Sequence, residues 1–101
     1  MAAYIICSYD IADPKGYERY VPGVVPLLQK HGAEVLVADY DSKVLEGEKR
    51  GVYVVLRFES EKAALAWYND PEYEAVRKFR LNSSRHGSMV LASQFIAPTG
   101  S

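Results

Sequence analysis

The chain has 101 residues and sets 12 Lys and Arg against 13 Asp and Glu, a formal charge of −1. Hydrophobic residues make up 49% and charged residues 25%, the balance of a folded protein, which excludes disordered, collagenous and fibrous classes. This length suits one domain around one core. With no net positive field, neither a nucleic acid nor an anionic membrane surface is an expected partner.

Cys7 is the only cysteine, so the sequence holds no intrachain disulfide and no CxxC zinc cluster. The apolar start Met1–Cys7 is too short to cross a membrane and lacks the basic region of a secretion signal. A cytoplasmic location is expected. Dinucleotide, phosphate-loop, zinc-protease and nucleophile-elbow motifs are missing, so no cofactor is expected. His31 and His86 lie far apart in sequence and nothing has metal-ligand spacing, so no metal is expected either.

The first element is a strand over residues 3–9, rich in β-branched and aromatic residues. Asp13-Pro14 then places an N-cap before a proline that has no N–H to waste. Tyr17, Tyr20, Val21, Val24, Leu28 and His31 recur at helical spacing. Pro22 and Pro26 interrupt that pattern, so the spacing predicts an irregular helix, split in two, ending near Gly32. A second strand follows at 33–39, extended past a bend by Val44–Gly47. Residues 52–58 are the clearest strand. Ser60 caps a helix with Ala63, Ala64, Trp67 and Tyr68 on its apolar side. Asp70-Pro71 starts another helix, which carries Tyr73, Val76, Arg77 and Arg80 on one stripe. Residues 88–96 form the last strand, and 98–101 read as a flexible tail after a domain at 1–97.

The order β-α-β-β-α-β is that of a ferredoxin-like α+β fold, a four-stranded antiparallel sheet with both helical segments on one face. The strands do not alternate cleanly: Tyr4, Ile6, Tyr53 and Val55 oppose an equally apolar set. Two apolar sheet faces call for a cover on each. A second copy meeting the first sheet to sheet supplies it, so the expected assembly is a homodimer closing a dimeric α/β barrel.

The stretch Phe58-Glu59-Ser60, followed by Ala64, Trp67-Tyr68, Pro71 and Tyr73, resembles the domain-of-unknown-function family numbered 1330. Val44–Gly47, Arg80, Asp13-Pro14, Tyr17, Tyr20, Pro26 and Gly32 extend the likeness over nearly the whole chain. The resemblance implies a dimeric α/β barrel and no established activity. Ala38-Asp39-Tyr40 departs from it where such proteins usually have an Arg-Gly-Gly-like turn, and Gly32-Ala33 departs where they often have Gly-Gly.

Candidate site residues follow from side-chain chemistry. Arg80 shares a helix face with Tyr73, so its guanidinium must find an acceptor. That acceptor is either a ligand carboxylate or, as the favoured alternative, Glu46 or a backbone carbonyl. His31, near a helix C-terminus, is a candidate acid or base against the plainer role of a cap. Tyr9, Tyr20, Tyr40, Tyr53, Trp67, Tyr68 and Tyr73 suit a flat ligand, and equally a core or dimer interface. Arg57 either lies at a wet strand end or pairs across a dimer with an acid such as Asp39. His86 reads as an exposed loop residue.

Three functions remain open at this level: a small-molecule pocket for an aromatic or carboxylate-bearing ligand, a cofactor-free enzyme of monooxygenase or isomerase type, and a non-catalytic interaction scaffold. RNA binding on an open aromatic sheet is the rival that needs basic residues around the sheet, and Arg57 is nearly alone there.

Overall fold

The structure, a computed structural model, describes residues 1–98. The expected tail at 98–101 therefore lies, past Pro98, outside the described residues. Eight elements follow in order: β1 (Ala3–Ile11), α1 (Pro14–Tyr17), α2 (Tyr20–Lys30), β2 (Glu34–Asp39), β3 (Val52–Phe58), α3 (Glu61–Tyr68), α4 (Pro71–Ser83) and β4 (Ser84–Ser93). The sheet order is β2-β3-β1-β4 and every pairing is antiparallel. This is the expected ferredoxin-like α+β arrangement.

The break between α1 and α2 has a steric cause. A proline ring at position 22 would collide with the carbonyl of residue 18 in a continuous helix. The chain therefore ends α1 at Tyr17 and restarts at Tyr20, which leaves Pro22 in the first turn, where no N–H is needed. Asp13 caps α1, accepting from the Gly16 amide, and Ser60 and Asp70 cap α3 and α4 in the same way.

Two strand expectations need correction. Val44–Gly47 does not extend β2: residues 40–51 form an irregular loop, with Leu45 93% exposed and Gly47 at φ +93°. β4 runs from Ser84 to Ser93, not over 88–96: it takes in Ser84–Gly87, which has the composition of a loop, and leaves out Gln94–Ile96. Ser83 and Ser84 hydroxyls bond the Phe79 and Arg80 carbonyls and end α4, and the chain passes straight into the ladder opposite Ile11 and Asp10. His86 sits in that strand, exposed, at φ +57°, where the β1–β4 register shifts.

Ile5, Cys7, Tyr9, Val52, Leu56 and Phe58 point toward the helices and join Tyr20, Val24, Leu28, Trp67 and Tyr73 in the core. The Cα frame measures 52 × 35 × 16 Å, the thickness of one helix layer on one sheet. The second sheet face is bare. Ile6 is 47% and Val90 52% exposed there, cross-strand neighbours on β1 and β4. Val55 pairs Ile6 from the other side and Val37 pairs Val55, so an apolar row crosses all four strands. Arg57 lies on this face and meets Glu34 of its own chain at 4.0 Å, its registered neighbour on β2. Among the described residues no helix is long and apolar enough to cross a membrane.

Candidate functional site

A cavity of about 140 Å³ lies between the helix layer and the sheet. Its floor comes from β1 and β3 through Cys7, Tyr9, Val54 and Leu56, and α2 forms a wall through Tyr20, Val21, Val24, Val25 and Leu28. These helix positions are two adjacent stripes at 3–4-residue spacing. The deeper stripe is buried; Val21 and Val25 are exposed. Val35 on edge strand β2 and Tyr40 just after it are exposed as well, so the mouth opens between α2 and β2. Trp67 closes the inner end.

The polar part of the wall is a set of phenols. The Tyr9 and Tyr17 hydroxyls are bonded at 2.5 Å, and the Tyr17 and Tyr40 hydroxyls lie 3.4 Å apart. A second pair, Tyr20 and Tyr73, is bonded at 2.8 Å. Burial holds the Tyr9, Tyr17 and Tyr20 phenols well above their ordinary pKa. At Tyr17 the bonds from Tyr40 and Tyr9 push the same way, and at Tyr20 the neighbouring Tyr73 does. The Tyr9, Tyr17 and Tyr20 phenols therefore stay neutral and protonated across physiological pH. Burial likewise pushes the Cys7 thiol up, against the pull of Arg80, so it is a poor nucleophile.

Arg80 lies behind this wall, 4% exposed. Its Cζ is 5.7 Å from the ring centres of both Tyr9 and Tyr20. Among the described residues no carboxylate is within ion-pair distance of it. The expected pair with Glu46 does not form, because Glu46 sits exposed in the 40–51 loop. Among the described residues two buried side-chain donors have no hydrogen-bond partner, Arg80 Nε and Trp67 Nε1.

The structure divides the residues singled out by sequence. Tyr9, Tyr40 and Trp67 line the cavity. Tyr73 is fully buried behind Trp67, with ring centres 4.2 Å apart. Tyr68 lies on the far side of Trp67, under the Arg77 guanidinium at 4.6 Å. His31 is not part of the wall. It is the C-cap of α2, and its Nε2 lies 2.8 Å from Asp70 Oδ2, which also accepts from Lys30 Nζ at 2.9 Å. Asp70 thereby caps α4 and ties it to the end of α2. Tyr20 lines the cavity as well and Tyr53 does not; Tyr17 is a cavity residue that the sequence reading misses, although its helical spacing with Tyr20, Val24 and Leu28 carries the signal. Among the described residues no group of three or more His, Cys, Asp or Glu side chains is placed to hold a metal ion.

Solved structures of similar shape are remote in sequence. A protein of unknown function from Rhodopseudomonas palustris aligns at TM-score 0.77 and 16% identity, over 95% of this chain and 84% of that one. A dimeric ferredoxin-like protein of unknown function from Jannaschia sp. aligns at 0.69 and 13%, over 93% and 100%. A dimeric protein of unknown function and ferredoxin-like fold from Bacteroides fragilis aligns at 0.63 and 12%, over 92% and 96%. At these identities the likeness concerns the fold alone. No curated protein matches the chain. The family model described as Domain of unknown function (DUF1330) matches residues 2–95, and the chain belongs to that family.

Proposed function

We propose that this protein is a cytoplasmic homodimer in which each subunit binds one small, largely apolar molecule. The observation that carries the ligand is the cavity between α2, β2 and the central strands, with aromatic rings on its walls and an exposed mouth. Apolar cavities of about 150 Å³ stay dry and accept benzene-sized guests. A cavity of about 140 Å³ therefore suits a single-ring compound or a short aliphatic body.

The dimer rests on the bare sheet face. A row from Val37 through Val55 and Ile6 to Val90 leaves apolar surface in water on all four strands. A second copy placed by a two-fold axis covers both rows at once. The Jannaschia and Bacteroides proteins of this fold are described as dimeric, which supports the same assembly here. The lone buried thiol of Cys7 fits a reducing compartment.

Native mass spectrometry tests both parts. The expected result is a particle of twice the 11.3 kDa chain, to which added toluene raises thermal stability. A monomer removes the dimer. A dimer stabilised by no single-ring compound removes the ligand and leaves an interaction scaffold.

A further inference from the structure

We infer that the occupant of this cavity is an anion: a small carboxylate whose apolar body fills the space and whose oxygens meet the donors of its wall. The inference rests on the small-molecule reading above and names the class of molecule.

The wall has more hydrogen-bond donors than acceptors. The lining residues include no Asp, Glu, Asn, Gln or His. What they offer instead is protons. Tyr9, Tyr17 and Tyr40 are three hydroxyls joined by two contacts, which leaves one O–H proton unspent. Tyr20 and Tyr73 are two hydroxyls joined by one bond, which again leaves one. Arg80 gives protons only. Trp67 lines the cavity and its Nε1–H has no partner. A surplus of donors with no acceptor-only group selects a guest that accepts.

Arg80 is a buried cation without a carboxylate partner among the described residues. Two features offset part of its desolvation: the tyrosine faces at 5.7 Å and its place in the last turn of α4, at the negative end of the helix. Neither supplies a counter-charge. Arg80 stands directly behind Tyr9 and Tyr20, two residues of the cavity wall, so an anion inside faces the uncompensated cation across one layer of phenol rings. In so apolar a site a charge attracts far more strongly than in water. A neutral guest of the same shape gains none of this.

Benzoate, benzamide and toluene separate charge from shape, and calorimetric titration at pH 7 reads their affinities. Benzoate is expected to bind at least tenfold more tightly than benzamide. Arg80→Met is expected to abolish that preference. Trp67→Phe removes the N–H together with the indole's second ring and so alters the space for all three guests; the ratio of benzoate to toluene affinity is expected to fall at least threefold, and that ratio serves if Arg80→Met fails to fold. Binding of toluene or benzamide as tight as benzoate overturns the anion while leaving the cavity reading intact. So does a folded Arg80→Met that keeps the preference. Failure of all three compounds to bind overturns both.

Discussion

The Tyr9 hydroxyl meets the Tyr17 hydroxyl at 2.5 Å, which fastens the central strand β1 to the one-turn helix α1. A helix of four residues has too few internal bonds to persist alone. Its place is fixed by this contact, by the Asp13 cap, and by Ala12 and Asp13 amides donating to the Ser83 carbonyl. Tyr17→Phe removes one hydroxyl and leaves Tyr9 buried without its partner. The expected loss is about 1 kcal/mol in urea unfolding. Tyr9→Phe combined with Tyr17→Phe is expected to cost less than the two single changes added together, because the pair is one interaction.

Acid should loosen the joint between α2 and α4. Bonds from His31, then Lys30 and the Glu72 amide, hold the Asp70 carboxyl well below the usual carboxylate range. A carboxylate whose pKa is depressed by folding stabilises the native state at every pH above its unfolded value, about 3.9. That contribution fades as pH falls from there toward the folded pKa. Asp70→Asn is therefore expected to lower Tm at pH 7 and to flatten its fall between about pH 4 and pH 2. An unchanged acid profile in thermal melts followed by circular dichroism would refute the assignment.

His31→Ala separates the two roles that its chemistry allows. Placed at the α2 C-cap and bonded to Asp70, His31 should matter to stability and not to the cavity. The expected outcome is a lower Tm with toluene affinity unchanged. A loss of affinity at unaltered Tm would return His31 to the site.

Gly23 marks the close approach of α2 to α4. A Cβ there would stand 3.1 Å from both γ-methyls of Val76. Val76 is β-branched and has little freedom to turn aside. Gly23→Leu is expected to separate the helices and destabilise by about 1–3 kcal/mol, as overpacked cores do. The companion change Gly23→Leu with Val76→Ala should recover part of it, read in the same denaturation experiment.

The bare sheet face can be tested at its centre. Ile6→Lys puts a charge between Val55 and Val90 on the two neighbouring strands. Sedimentation is expected to show a monomer, with far-ultraviolet circular dichroism preserved. Persistence of the dimer would place the interface elsewhere.

Much of this architecture was legible because local chemistry and tertiary structure agreed. Residues 52–58 form a nearly unbroken β-branched and aromatic run after Gly51 and before Glu59-Ser60, which is why the strand is legible with its true bounds. Asp13-Pro14, Ser60 and Asp70-Pro71 announced three helix starts through capping alone. β4 was misplaced because Ser83–Gly87 has turn composition. Its pairing comes from β1, a neighbour distant in sequence, and its bulge at His86 accommodates the misfit. Val44–Gly47 failed in the opposite way: apolar residues suggested a strand where no neighbour offers a ladder.

The cavity was half legible. Arg80 stood out because a charge on an apolar stripe needs an explanation, yet its surroundings could not be read from that stripe. The ring faces of Tyr9 and Tyr20 reach it from two other elements. His31 misled because a helix-end histidine looks the same whether it faces a cavity or a neighbouring cap. Only the fold brings Asp70 beside it.

α4 becomes β4 between Ser83 and Ser84 with no residue in between. A linker would let the helix rock on the sheet, and this junction removes that freedom. Motion of the last turn of α4 must therefore be felt by the outer strand. Amide exchange in the two should report a single opening event with a common free energy, even though one is a helix and the other an edge strand.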